Sequence, residues 1–267
     1  MKFRYQEMTW HEVKAAAAAD RVVLQPVGMI EDHGPHLPVV TDILVANEIC
    51  ARTAACIPAD TILMPPQWHG YSPHHMDFPG PITINGKTLI DYMLGITESL
   101  VHHGFRRILV VNGHGSNGLW MEAVARLTIV RHPETLCAAV NWWNIPEVTQ
   151  AIGALKTSGA GGTSHAGELE TSMVLAIRPD LVDMSKAVKE ISYPRSRYFP
   201  HHSLYQSDRK VKMTVFWSTE TSSGVMGDPT EATQAKGEAW LEAAVEGLSG
   251  IVSDLKRREI EPRVDHH

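Results

Sequence analysis

The run Arg107-Ile-Leu-Val-Val111 is apolar after its first residue and gives way at once to Asn112-Gly-His-Gly-Ser-Asn-Gly118. A short apolar run bounded by turn residues marks a buried strand. Val22-Val-Leu-Gln-Pro-Val27 behaves the same way and empties into the polar loop 28–38. Helical spacing fills the stretches between the runs, so strands and helices alternate. Along the chain the expected order is a helix capped by Thr9 and running to Ala19, a strand at 22–27, a helix at about 41–57 and a strand at 61–64. A long loop through Pro79, a helix at 89–103, the strand at 107–111, a helix at 118–130 and a strand at 136–142 follow. A glycine-rich stretch, 158–164, is expected to be a mobile loop, and a helix over 167–177 comes after it. Segment 185–223, with Pro194 and Pro200, is poorly periodic, and Pro229 is expected at the first position of a final helix reaching Lys256. The alternation predicts an α/β sandwich with a largely parallel sheet, a single domain over 1–267, and ligands held beyond the carboxyl ends of the strands.

Composition narrows the partners. A net charge of -6 over 267 residues, without a basic stripe, argues against nucleic acid. Cys50, Cys56 and Cys137 have neither the even count of a disulfide framework nor the spacing of a zinc ribbon. No stretch has the ~20 apolar residues of a membrane span, and the N-terminal alanine run is too short for a signal segment, so a cytoplasmic protein without a membrane partner is expected. The unusual abundance is of histidine: 15 residues, against six tyrosines and five phenylalanines. Imidazole is the commonest metal ligand.

Gly113-His114-Gly115-Ser116-Asn117-Gly118 satisfies the G-x-G-x-x-G pattern of a dinucleotide-binding turn, which makes an NAD(P)-dependent oxidoreductase one reading. Such a turn needs an acid about 20 residues on, at the end of the next strand. That strand ends in Asn141-Trp-Trp-Asn144, and Glu134 lies before it. His114 is the residue a dinucleotide turn does not require.

After the first strand, Glu31-Asp32-His33-Gly-Pro-His-Leu-Pro-Val-Val-Thr41-Asp42 packs three carboxylates and two imidazoles into one short loop. Thr41 or Asp42 could simply cap the following helix. Alternatively, Glu31 and His33 project on one side of an extended chain, and Pro35 and Pro38 stiffen the path that brings Asp42 back to them. With His114 at the same sheet edge, four ligands then converge, and the two oxygens of Asp42 can bridge two ions. Oxygen and imidazole donors suit zinc, manganese or iron. Further donors for a second ion lie in Ser164-His-Ala-Gly-Glu-Leu-Glu-Thr-Ser172, where His165 and Glu170 are the candidates and Glu168 is explained by the helix dipole alone. Trp142 and Trp143 end a strand, where neighbours point oppositely; one belongs to the core and the other, assigned to Trp142, to a substrate wall. The run Gly159 to Gly162 reads either as a lid hinge or as a plain surface loop.

Five ordered segments, "EDHGPHLPVVTD", "GYSPHHMDFPGPITI", "VNGHGSN", "SHAGELETS" and "SGVMGDPTEATQAKGE", together resemble the creatininase (creatinine amidohydrolase) family over nearly the whole chain. The resemblance implies a three-layer fold, a homohexamer, and two divalent metal ions, Zn or Mn first and Fe next. It implies metal ligands at Glu31, His33, Asp42 and His114, with Asp42 bridging and Glu170 as a further ligand. His165 becomes the acid–base residue, and Ser72 and His75 line the substrate pocket. The activity implied is cleavage of a C–N bond in a small cyclic amide or formamide by a hydroxide held between the metals, with His165 passing a proton to the leaving nitrogen. Ring opening or isomerisation of a cyclic ketone, such as an inosose-type sugar, is the alternative. Two positions depart from creatininase proper: Ser116 stands where its G-H-x-E segment has glutamate, and Gly161 where it has a tryptophan over the substrate.

Overall fold

The computed structural model describes residues 1–192, 196, 198–199, 204, 211 and 213–267. Pro194 and Pro200 of the weakly periodic segment lie outside these residues.

Four strands, β1 (Val22–Val27), β2 (Thr61–Leu63), β3 (Arg107–Asn112) and β4 (Leu136–Asn141), form a sheet in the order β2-β1-β3-β4. Every pairing is parallel, with Val23 opposite Ile108, Val27 opposite Asn112 and Asn112 opposite Asn141. The register brings the ends of β1, β3 and β4 level, so the loops that leave them share one edge.

Seven α-helices accompany the strands among the described residues: α1 (Trp10–Ala18), α2 (Thr41–Cys56), α3 (Gly86–His102), α4 (Gly118–Arg131), α5 (Pro146–Leu155), α6 (Glu168–Ile177) and α7 (Gln234–Arg257). Side chains of the central strands alternate between the two layers, as the period of two requires. Val22 and Leu24 of β1 and Leu109 and Val111 of β3 pack with Val45 and Ile49 of α2, Leu169 and Met173 of α6, and Trp240 and Leu241 of α7. Val27 and Val110 face α3 and α4 through Leu89, Met93, Met121 and Val124, while Val23 and Ile108 face Ala16, Leu100 and Phe105. The three-layer α/β/α sandwich is thus the observed architecture.

Local expectations held where caps were explicit. Thr9 closes a capping box with Glu12 at the start of α1. Three details differ. Pro229 opens a short 3-10 turn, Pro229–Glu231, and α7 starts only at Gln234 with Thr233 as its cap, because the turn's geometry ends at Ala232 in extended backbone. α3 begins a turn early, at Gly86, where the Asn85 side chain accepts from Lys87 N. Residues 161–170 are buried rather than forming an open loop. Gly162 O there accepts from both Glu168 N and Asp228 N, at 2.9 Å each, which packs the glycine run under the 227–228 turn.

Candidate metal centre

The loop 28–40 leaves β1 at the carboxyl edge and delivers the chain into α2. No side chain caps α2: Val40 is its cap, and Thr41 Oγ1 donates to Pro38 O at 2.7 Å. Asp42 sits in the first helical turn, where the dipole favours a carboxylate, with its oxygens committed elsewhere. Gly113, following β3, packs directly on that turn, and a Cβ there would come within 2.4 Å of the Asp42 carbonyl. Its glycine is therefore required by close approach to the Asp42 backbone, not by a pyrophosphate.

Glu31, His33, Asp42, His114, His165 and Glu170 meet in one buried cluster, none more than 7% exposed. Asp42 Oδ1 lies 3.2 Å from His33 Nε2, and Asp42 Oδ2 lies 3.1 Å from His114 Nδ1. Glu31 Oε1 is 3.3 Å from His114 Nδ1 and 3.6 Å from His165 Nδ1, while Glu170 Oε2 stands 3.8 Å from His33 Nε2. Among the described residues four trios with mutually close donor atoms result: Glu31–Asp42–His114 and His33–Asp42–Glu170 share Asp42, while Glu31–His33–His165 and Asp32–His75–His165 share His165.

The outward nitrogens fix the imidazole tautomers, because a carbonyl can only accept. His33 Nδ1–H donates to Glu31 O at 3.3 Å, His114 Nε2–H to Tyr71 O at 3.3 Å and His165 Nε2–H to Asp32 O at 2.8 Å. In its neutral form each then turns a lone pair toward the carboxylates, the orientation that metal-ligating histidines owe to such partners. His33 Nε2 and Asp42 Oδ2 are buried without any hydrogen bond. Orphaned donors of this kind, in a set of oxygen and imidazole ligands, fit divalent cations.

Electrostatics carries the same signature. Burial lowers the basicity of His114, yet the carboxylates of Glu31 and Asp42 outweigh it and push the imidazole up to about 10. Burial also opposes protonation of His33, and Asp42 and Glu170 again raise it well above the usual range. Burial would lift the Glu31 carboxyl, but His114, His75 and His165 hold it well below ordinary carboxylates. His165 moves the other way: burial, then His33 and His75, depress it, so its imidazole is neutral near pH 7.

The remaining candidates distribute differently from expectation. His75 lines the cavity above the cluster, with Nδ1 2.8 Å from Asp32 Oδ1. Ser72 does not line it: fully buried, it donates to Glu31 Oε2 at 2.7 Å, and its neighbours Tyr71 and Pro73 form the wall. Trp142 is likewise a core residue, 1% exposed, and Trp143 lines the cavity instead. β4 ends at Asn141 and the two tryptophans occupy a 3-10 turn, so strand alternation does not decide which faces inward. Glu168 is structural, bonded to Lys236 Nζ and to the amides of Thr157 and Ser158. His36, the other imidazole of the first loop, meets Thr171 Oγ1 at 2.9 Å outside the cluster.

Two residues escaped the sequence reading. Trp217, at the start of the 3-10 turn Trp217–Thr219, stacks on His75 with ring centroids 4.6 Å apart and 24° between planes, and lies edge-on to His165 at 5.2 Å. Ala166 holds φ at +51, a left-handed strain placed between His165 and the start of α6, and its amide donates to Glu170 Oε2 at 2.6 Å. Only the HAG spacing hinted at the latter, and nothing marked Trp217.

An inward-facing set of carboxylates and imidazoles at the carboxyl edge of a parallel sheet defines the class: an α/β protein with a donor cluster suited to divalent metal. The family model for creatininase, described as creatinine amidohydrolase, matches residues 6–252, and the chain belongs to that family, a metal-dependent amidohydrolase by membership. It is 30% identical over 261 residues to a creatinine amidohydrolase of Pseudomonas putida, covering 93% of this chain and 95% of the relative. A mycofactocin precursor peptide peptidase of Mycolicibacterium smegmatis is 31% identical over 240 residues, covering 88% and 85%, and a 3-dehydro-scyllo-inosose hydrolase of Thermotoga maritima 24% over 270 residues, covering 95% and 84%. Solved creatininases superpose closely: a manganese form has a TM-score of 0.79 at 28% identity, covering 95% of this chain and 98% of that one, and a zinc–zinc form scores 0.78 with the same identity and coverage. No helix among the described residues is long and apolar enough to cross a membrane.

Proposed function

We propose that the protein is a hydrolase with two divalent ions, zinc or manganese, that cleaves the C–N bond of a small amide, cyclic or formyl. The observation that carries this reading is Asp42, whose two oxygens face different imidazoles and belong to different trios. Glu31, Asp42 and His114 would hold one ion, and His33, Asp42 and Glu170 the other, so Glu170 takes a ligand's duty that Ser116 cannot. When bound, such ions lower the pKa of water toward ~7 and polarise the attacked carbonyl.

The chain's own residues supply the rest. Ser72 holds one Glu31 oxygen and leaves the other facing His114 and His165. His165, neutral and anchored by the Asp32 carbonyl, is free at Nδ1 to take a proton from the attacking water and return it to the leaving nitrogen. His75, held by Asp32, and Trp217 limit the water around that nitrogen. This reading treats 1–267 as one domain and, as the family resemblance implies, the enzyme as a homohexamer.

A second reading, ring opening of a cyclic ketone, is favoured by the inosose hydrolase relative. The test is direct: apo protein reconstituted with zinc or manganese, metal content by mass spectrometry, and product analysis on lactams, formamides and cyclic ketones. Two ions per chain with amide hydrolysis is the expected result. Ketone turnover alone selects the second reading, and turnover of none overturns both.

A further inference from the structure

The cavity above the cluster has a volume of about 940 Å³. Ligand pockets span roughly 300–1,000 Å³, so this one lies near the top of the range, and a single small ring would occupy only its inner end. The two ends differ in chemistry. Carboxylates and imidazoles floor the inner end, whereas Leu119, Trp143, Met213, Phe216 and Trp217 are among the residues that line the rest. Leu119 is 60% exposed, Phe216 58% and Met213 48%, three large apolar side chains displayed around one opening. Apolar surface gathered beside a pocket, rather than scattered singly, marks a place where something apolar binds. Asn144 and Thr214 also line the cavity.

Trp217 divides the two ends. Its ring covers His75 and His165, and its position is held from both sides. Ser218 Oγ donates to Asp77 Oδ2, which ties the tryptophan's turn to the loop that carries His75. At the segment's far end the Glu190 carboxylate accepts from Ser222 N at 2.8 Å, Thr221 Oγ1 at 2.8 Å and Ser223 N at 3.1 Å, and the Glu190 backbone pairs with Gly227 in both directions. A segment tied at both ends in this way presents the Trp217 ring at the passage between floor and mouth.

We infer that the substrate is an acyclic N-acyl or N-formyl amine with an extended apolar arm, of the size of an N-acyl amino acid or short peptide, its scissile bond under Trp217 and its arm along Leu119, Met213 and Phe216. Water adds across the amide: a C–O bond forms, the C–N bond breaks, the acid leaves as carboxylate, and the nitrogen departs with the proton delivered to it. The inference rests on the amide-hydrolase reading above and adds the shape of the substrate.

The test is a series of N-formyl and N-acetyl derivatives of glycine, leucine and phenylalanine, with unsubstituted lactams for comparison, assayed on the metal-reconstituted protein. From glycine to phenylalanine kcat/KM is expected to rise at least tenfold, chiefly through KM. Leu119→Asp, at an exposed position whose substitution spares the core, and Trp217→Ala should each flatten that rise with the metal content retained. Hydrolysis with a flat series, or preference for the lactams, overturns the inference and leaves the hydrolase standing. Absence of C–N cleavage in every compound overturns the hydrolase and the inference with it. Should Trp217→Ala misfold by circular dichroism, Leu119→Asp and Trp217→Phe carry the same comparison.

Discussion

The floor and the mouth of the cavity are built by opposite means. The floor's donor residues stand in the loops that follow parallel strands or in the first turns of α2 and α6, buried, with each imidazole aimed by a carbonyl behind it. The mouth is lined in large part by residues 213–217 and by helix side chains such as Leu119, which are more exposed. Reaction chemistry tolerates displacements well under an ångström, so it sits on rigid elements. Selection of a substrate's outer part requires only shape and apolar surface, which a loop can supply and vary.

If that division is real, substitutions in the floor should act on metal and turnover, and those in the mouth on substrate preference. Asp42→Ala has the largest expected effect: both ions are lost and turnover falls to the uncatalysed level, measured by metal analysis beside activity. A variant that retains one ion would break the bridging role. His165→Ala comes next. It should lower kcat by roughly 10²–10⁴-fold, the usual worth of general acid–base catalysis, with metal content intact. Loss of metal would make His165 a ligand instead.

Ser72→Ala leaves Glu31 without the hydroxyl that orients it, and metal affinity should fall by roughly 10–100-fold, read by competition with a chelator. The pH dependence of the metal-free protein tests the floor's charge. His114 binds its proton more tightly folded, at about 10, than unfolded, at ~6.5. Its contribution is therefore complete below ~6.5 and is lost as pH rises through about 10, so the melting temperature of chelated protein should fall across that window. Metal-loaded protein should not follow, because its imidazoles are already deprotonated. Identical slopes in the two forms would remove His114 from the metal site. The smallest effect is expected at Ala166→Gly, which relieves a left-handed backbone worth ~1–2 kcal/mol. Stability should rise slightly in thermal melts while kcat drops a few-fold, since the strain fixes His165 against Glu170. A rise in both would mean that the strain serves no purpose.

Much of the floor was legible from residues alone. Glu31, His33 and Asp42 lie in one stretch of chain, and His114 follows a strand whose apolar run left no doubt about its burial, so local rules of strand and loop carried the argument. The same rules failed where a side chain's direction depends on partners distant in sequence. Ser72 turned from the cavity to Glu31, and Trp142 exchanged places with Trp143, because a 3-10 turn replaced the strand at Asn141. Trp217 has no periodic pattern around it, and its neighbours His75 and His165 approach it only in the folded chain.

Amphipathic spacing and strand-sized apolar runs thus determined the layers, the parallel sheet and the edge at which ligands gather, since those follow from period and burial. The tertiary structure alone decided which oxygen of Asp42 meets which imidazole, which tryptophan covers the site and how wide the cavity opens. Those depend on contacts between segments far apart in the chain, and a one-dimensional pattern holds no distance between them.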